Sequence, residues 1–537
     1  MPLLCFRIFL VITKSKSRHG EMARGRFDDR PISWFEGMRL VLRIDGSCVR
    51  RWHLQLLERL GAIAGLQASV ALSTSEASSE GFDRLFKLEA LLHGLATSGP
   101  AALLPATAFD RYRADTGARP DLVIDLGGGN GAGASRHWRL SFDGVAGEAA
   151  LLNALLAGRT PLAEIREGDA LVAAGRLGTE NGHIVLAAFT DVLERLMTLI
   201  VAAVSGCGAK VPALPGAEPV RGSADAVGTG VLAKVAAKEL ARTLTARVYR
   251  HLYQAPHWRV GWRKLGGPDL LDLRQHPDGG WRELADDGQR FYADPFPIQH
   301  DGEVTLFVED YAHDLGKGVI SAVAFGPDGP LGAPQCGLEQ DYHLSYPFVF
   351  EREGQVWMIP ETCNAARIEL FRATAFPGGW VREATLVEGT VASDATLIEH
   401  GGRWWLFATV RDGGGAFSDA LHLWSAPDFR GPWSPHPRNP VLIDIASARP
   451  AGRMVLRDGA LLRPVQDCRR GYGTALGIAK VTRLDPDGFA QEVETIIGTG
   501  KLWAGRKLHT LNSAGGFEFI DGSAFARRSL FGSRARP

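Results

Sequence analysis

Ionisable residues recur in phase along the second half of this 537-residue chain when positions are counted from Gly302, Gly354, Gly402, Gly459 and Gly522. Eight residues before the first three glycines stand Asp294, Tyr346 and Asp394. Arg449 and Pro450 hold that neighbourhood in the fourth copy, and His509 and Thr510 lie a little before it in the fifth. Seven residues after the glycine come Glu309, Glu361, Thr409 and Gln466. A repeat kept for folding alone would tend to carry one residue type at an equivalent place, whereas here two carboxylates, a tyrosine, an arginine and a histidine alternate. Such a set, brought together, forms one asymmetric polar pocket able to move protons and bind a polar ligand. For any one of these residues the plain alternative is an Asp capping a strand entrance through backbone N–H groups.

The elements that would bring them together are hairpins: PIQHDGEVTLFVED, FVFEREGQVWMIPE, TLIEHGGRWWLFAT, MVLRDGALLRPVQD and a truncated GFEFIDG. Short strands with glycine turns at a period near about 50 residues are the grammar of β-propeller blades, and five copies imply five blades. The early strand HWRVGWRKL at 257–265 is expected to complete the last blade and close the ring, leaving no open sheet edge.

The preceding half reads differently. MRLVLRI at 38, ASVALS at 68 and DLVIDL at 121 read as strands, and 51–65 and 82–95 carry helical periodicity. The expected fold class is therefore an α/β amino-terminal domain joined to an all-β five-bladed β-propeller. The spans are 1–37 as a disordered segment or mis-assigned start, with Met38 as a second possible start, and 38–205 as a Rossmann-like α/β domain. Linker and basic helix follow over 206–256, the propeller over 257–525 and a tail over 526–537. The helical stretch is read as a solvated connector in preference to a membrane-surface helix. The glycine run Gly127–Gly133 follows the third strand instead of opening the first βα turn, so a flexible turn is preferred to a phosphate loop.

With 60 Lys+Arg against 60 Asp+Glu the charges cancel, which gives nothing to drive nucleic-acid binding. The six cysteines are scattered without a CxxC pair, which fits a reducing cytoplasm and neither zinc nor redox cycling. The apolar start Met1–Thr13 has its positive charges on the wrong side for a secretory signal, and no stretch is long enough for a transmembrane segment.

ADPF at 293 resembles the opening of the five-bladed propellers of family 43 glycoside hydrolases. HWRVGWR at 257, SYPFVF at 345, MIPET at 358, SDATLIEHGGRWWLFAT at 393, SARPAGR at 447, RPVQDC at 463 and HTLN at 509 are closer to another group. Together with ADPF they resemble the amino-terminal propeller domain of glucosamine inositolphosphorylceramide transferases. The resemblance covers 257 to about 522, roughly half the chain. Residues 38–205 are similar only in outline to a formyltransferase-type α/β domain, whose Asn, His and Asp catalytic set is not visible here.

From the hydrolases the resemblance implies Asp294 as general base. It puts Tyr346 where a second aspartate stands and Asp394 where a glutamate serves as acid, with Glu361 or Glu309 as alternatives. The expectation is a glycan-active enzyme, hydrolysing or transferring a glycosyl unit in cell-surface polysaccharide or glycolipid metabolism. Its catalytic candidates are Asp294, Asp394, Glu361 and Glu309. Its substrate-binding candidates are Tyr346, His343, Arg449, Arg453, Arg463, Gln466, Asp467, His509, Thr510 and Asn512, with the three arginines suited to an anionic group. The alternative is a non-catalytic carbohydrate-binding or scaffold module of a glycan assembly pathway. No cofactor is expected. A calcium site from His509, Gln466 and Asp467 is considered and no metal is assigned, because no contiguous ligand loop is present. The expected partners are a carbohydrate or glycolipid substrate and a glycosyltransferase; the expected location is cytoplasmic.

Overall fold

The computed structural model describes residues 37–73, 80–114, 119–128, 135–216, 218 and 220–528. The expectations for 1–36, for most of the glycine run and for the tail beyond 528 lie outside the described residues. The first half builds a six-stranded sheet from β1 (Met38–Asp45), β2 (Leu66–Ser73), β3 (Leu122–Asp125), β4 (Arg136–Phe142), β5 (Leu162–Glu167) and β6 (Ala170–Arg176). Its order is β2-β1-β3-β4-β5-β6, parallel through β4 and antiparallel after it. Leu40, Leu42 and Ile44 alternate along β1 into a core that also takes one face of α1 (Arg51–Gly61), α2 (Glu80–His93), α3 (Glu148–Leu156) and α4 (Val185–Val204). The surviving start of the glycine run is a turn closed by Asp125, whose Oδ1 accepts from the N–H groups of Gly127 and Gly128, both at 2.9 Å. A single long helix, α5 (Thr229–Leu252), leads to the second half.

That second half is a five-bladed ring. Blades 1 to 4 begin with strands Arg290–His300, Ser345–Arg352, Ala392–His400 and Val455–Arg457, and blade 5 with Leu511–Ala514. Gly302, Gly354, Gly402 and Gly459 turn the first hairpins with φ between +67° and +81°. The fifth turn departs from the sequence expectation. Gly522 lies inside the strand Phe517–Ser523, and the turn is Gly515–Gly516. Asp521–Gly522 imitates the turns Asp301–Gly302, Glu353–Gly354 and Asp458–Gly459, which hid the true register. Closure is as expected: Trp258–Lys264 pairs antiparallel with Phe517–Ser523, so the earliest strand is the third of the last blade. A ring with its last sheet completed this way has no unpaired inner edge to open from.

The two halves interlock. The Arg195 guanidinium on α4 donates to Asp419 Oδ1 at 2.9 Å, with both side chains fully buried. The Gly178 N–H donates to the other oxygen at 2.8 Å. A Cβ on Gly178 would stand 2.5 Å from Ile445 Cδ1, so glycine is required for this approach. Beside it Arg176 pairs with Asp444 at 3.0 Å, and the Ile445 N–H donates to the Arg176 carbonyl at 2.9 Å.

Candidate functional site

The first strands of blades 1, 2 and 3 share a bulge. Pairing jumps between Ala293 and Phe296, between Ser345 and Phe348 and between Ser393 and Thr396. Asp294, Tyr346 and Asp394 occupy the extra position with φ of 49°, 42° and 55°. A bulge bends a strand and re-aims one side chain, and a non-glycine residue held in left-handed geometry costs of order 1–3 kcal/mol that its surroundings must offset. The partners of these side chains come from other blades, which puts all three at the centre of the ring.

On the blade 1 and blade 5 side, Asp294 Oδ1 accepts from the Thr510 hydroxyl at 3.0 Å and faces His509 Nε2 at 3.4 Å; its Oδ2 accepts from the Tyr346 N–H at 3.2 Å. The other imidazole nitrogen, Nδ1, meets Asp521 Oδ1 at 2.6 Å. Asp521 also accepts from the N–H groups of Asp294 and Thr510, at 2.8 and 3.0 Å. Burial pushes the Asp294 carboxyl up to about 7, resisted by His509 and reinforced by Asp521 and Asp394. Burial disfavours the His509 imidazolium, yet the carboxylates of Asp521 and Asp294 outweigh it, and the histidine pKa is raised.

The other side, built from blades 2, 3 and 4, centres on Arg449. Its Nε donates to Asp394 Oδ2 at 2.6 Å, and its Nη2 lies 3.5 Å from Glu361 Oε2. Gln466 Nε2 donates to the same Asp394 oxygen at 2.7 Å, and the Asp394 N–H donates to Glu361 at 3.1 Å. Burial, then Glu361, pushes the Asp394 carboxyl up against the pull of Arg449. Glu309 stands near both groups, with His343 Nε2 3.4 Å from its Oε1. Burial and the nearby Asp294 and Glu361 hold Glu309 well above the usual carboxylate range, while burial lowers His343 to about 4. His343 is therefore neutral near pH 7. Exposure is low throughout: 4% for Asp294, 2% for Asp394 and 8% for Glu309 and Glu361.

Several expected residues lie elsewhere. The Tyr346 hydroxyl bonds Thr396 at 2.9 Å and accepts from the Gly452 N–H at 2.8 Å, inside the ring. Arg453 stacks on Phe296 and Phe348 and donates to the carbonyls of Pro297 and Val349. Asn512 holds the Arg453 N–H at 2.8 Å and the Pro295 carbonyl at 2.9 Å. Arg463 donates to the carbonyls of Ser447 and Ala448 and to Gln491. Asp467 is clamped by Arg469. Arg449, Arg453 and Arg463 thus each donate to groups of the protein itself, although the buried Arg463 Nε has no partner. An anionic ligand would have to displace those contacts.

Four residues that sequence reasoning missed complete the site. Asp521 sits in the strand misread as a turn; placing the turn at Gly516 would have put it in that strand. Tyr472 spans both sides of the cluster, its ring 4.8 Å from the Arg449 guanidinium and 5.2 Å from the His509 ring. Ser418 faces Arg449 Nη1 at 3.4 Å and donates to Glu180 of the α/β half at 2.9 Å. Glu180 also accepts from the Phe417 N–H at 3.1 Å. Nothing local in the sequence marks the last three, since their roles arise from contacts between blades and between halves.

Asp294, His509 and Asp521 each offer a ligand atom, all within 4.8 Å of one another. The imidazole, however, turns Nε2 to one carboxylate and Nδ1 to the other, and a single ion can take only one nitrogen of a ring. Its 2.6 Å bond to Asp521 is also shorter than the roughly 3.3 Å separating two ligands on a tetrahedral ion with bonds of 2.0–2.1 Å. The geometry suits a shared proton.

The fold and site define a five-bladed β-propeller, bearing a buried acid–base cluster between its blades, joined to an α/β domain. Residues 283–515 match the family described as Glucosamine inositolphosphorylceramide transferase 1, N-terminal, and it is this domain that the propeller resembles. The Glucosamine inositolphosphorylceramide transferase 1 of Oryza sativa subsp. japonica is 32% identical over 265 residues, 45% of this chain and 35% of that protein. The protein of that name from Arabidopsis thaliana is 32% identical over 259 residues, 45% of this chain and 33% of that one. The chain thus spans about a third of the length of the curated relatives it matches. Among solved structures, Zg3597, a family 117 glycoside hydrolase of Zobellia galactanivorans, aligns with a TM-score of 0.33 and 12% identity, over 49% of this chain and 90% of that one. An exo-β-1,3-galactanase from Clostridium thermocellum, 1,3Gal43A, aligns with a TM-score of 0.33 and 12% identity, over 45% of this chain and 60% of that one.

Proposed function

We propose that the propeller is a glycan-active enzyme that hydrolyses or transfers a glycosyl unit of a cell-surface polysaccharide or glycolipid. The observation that carries this reading is the Asp294–His509–Asp521 chain, a carboxyl with a raised pKa wired to a second carboxylate through an imidazole. Breaking a glycosidic bond needs one group to take a proton and another to give one. Asp294 is the base; Asp521 fixes the His509 ring, and the two set the proton affinity of Asp294 from opposite sides, the histidine favouring the carboxylate and Asp521 the carboxyl. Glu309, whose carboxyl burial and its carboxylate neighbours hold above the usual carboxylate range, is the acid. Asp394 is less suited to that role, because Arg449 and Gln466 already occupy it. The relatives' name, a transferase of an inositolphosphorylceramide, supports a glycolipid as the substrate class.

A second reading is favoured by the near-complete burial of Asp294 and Asp394: a carbohydrate-binding scaffold that serves a separate glycosyltransferase. Turnover of a panel of aryl glycosides and sugar nucleotides distinguishes them. The enzyme reading expects Asp294→Asn and Glu309→Gln each to lower kcat about 10²–10⁴-fold with glycan binding retained. Glycan binding without turnover in the unaltered protein would leave the scaffold standing.

A further inference from the structure

Helix α5 carries an apolar stripe that the protein leaves uncovered. Leu240, Leu244, Val248 and Leu252 follow one another at four-residue spacing on one face, and each is about half exposed or more, Leu244 reaching 65%. Lys234, Lys238 and Arg242 run along one flank of this stripe and Arg247 along the other, all exposed. The acidic residue of the helix, Glu239, is buried and turned to His93 at 3.3 Å. The buried face, with Leu232 and Glu239, points away from the stripe. At the carboxyl end of the helix Phe525, 44% exposed, packs by Tyr249 and Tyr253, and the Arg528 N–H donates to the Leu252 carbonyl at 2.9 Å. The patch therefore continues into aromatic and basic residues.

Against the solvated connector expected from the sequence, we infer that α5 is the surface by which this protein lies on an anionic lipid bilayer, its stripe entering the headgroup boundary and its lysines and arginines meeting lipid phosphates. An apolar face flanked by cations and free of exposed acids is what such an interfacial helix needs. A protein partner fits less well, because the cores of protein interfaces are depleted in lysine and this stripe is a convex line instead of a groove. No helix among the described residues is long and apolar enough to cross a membrane, so the contact is peripheral. A surface address of this kind would bring a glycolipid to the ring, but the inference rests on the helix alone.

Flotation of the full chain with vesicles is the test. The protein should float with mixed phosphatidylglycerol and phosphatidylcholine vesicles and stay behind with phosphatidylcholine alone, and high salt should release it. Leu244→Glu with Val248→Glu should abolish flotation. Lys234→Gln, Lys238→Gln and Arg242→Gln together should weaken it at least about tenfold and flatten the salt dependence. Circular dichroism and the unfolding midpoint should not move, because every altered side chain is exposed. Absence of flotation with either vesicle, flotation unaffected by these changes, or a dimer in solution that the two glutamates dissociate would each overturn the inference.

Discussion

Asp294 and Asp394 sit in the same bulge of blades 1 and 3, with nearly the same left-handed backbone and nearly the same burial, and they differ in what they face. Asp294 meets an imidazole that is itself backed by a carboxylate. Asp394 meets a guanidinium shared with Glu361. An arginine keeps its charge at any working pH, whereas a histidine gains and loses it near neutrality. One backbone device thus sets two environments: a carboxyl beside a titratable imidazole on the blade 1 side, and a carboxyl held by a fixed cation on the blade 3 side.

The largest expected effect tests the second half of that statement. Arg449→Met removes the cation between Asp394 and Glu361 and leaves two buried carboxyls without compensation, which should cost about 3–5 kcal/mol in a urea unfolding series. Adding Asp394→Asn should recover a good part of the loss, because the uncompensated charge goes with it. A cost below about 1 kcal/mol would mean that the guanidinium holds nothing, and the contrast between the two sides would fall.

The first half is tested by pH. A carboxyl whose pKa rises from 3.8 to about 7 on folding binds more protons in the native state, so its contribution to stability falls as pH climbs through that window. His509 acts in the same sense: its raised pKa gives stability that is complete below the ordinary histidine value and lost as pH passes the folded one. The unfolding midpoint should therefore drop between about pH 4 and pH 7, by an amount equivalent to about 2–4 kcal/mol. Asp294→Asn should shrink this drop without abolishing it, because the raised carboxyls of Asp394 and Glu309 act in the same sense. The amide oxygen can still accept from the Tyr346 N–H, as the carboxyl does. An unchanged slope would place the titrating proton elsewhere and remove the reason to single out Asp294.

How far these groups could be seen in advance depended on how local their signal was. The ring was legible because each first hairpin repeats a turn with glycine at positive φ, and because Trp258–Lys264 carries strand grammar ahead of the first full hairpin. The phase of Asp294, Tyr346 and Asp394 was legible too, since three blades keep the same bulge. Trp404 and Trp405 behaved as strand neighbours do, the first half-buried under Arg352 and the second fully buried. Direction was not legible. A phase count cannot tell that Tyr346 points into the ring or that Arg463 runs back to the Ser447 and Ala448 carbonyls. Glu180 was beyond reach for another reason: it comes to Ser418 only because Arg195 and Asp419 lock the α/β half onto blade 3.

Tyr346 sharpens the comparison most finely, because it is the third occupant of the same bulge and carries no charge near neutrality. Its hydroxyl lies between Thr396 Oγ1 at 2.9 Å and the Gly452 N–H at 2.8 Å. Gly452 cannot turn that N–H elsewhere: its φ is +127°, and a Cβ there would stand 2.1 Å from the Leu511 carbonyl oxygen. Tyr346→Phe keeps the ring and its edge contact with Phe296, at 4.7 Å, but leaves a buried N–H unpaired, so it should cost about 1–2 kcal/mol. The Tyr346 N–H that Asp294 accepts belongs to the backbone and survives the change, so the pH slope should match that of the unaltered protein. If Tyr346→Phe shrank the drop as Asp294→Asn is expected to, the titrating group would include the tyrosine, and the division between the two sides of the cluster would have to be redrawn around blade 2.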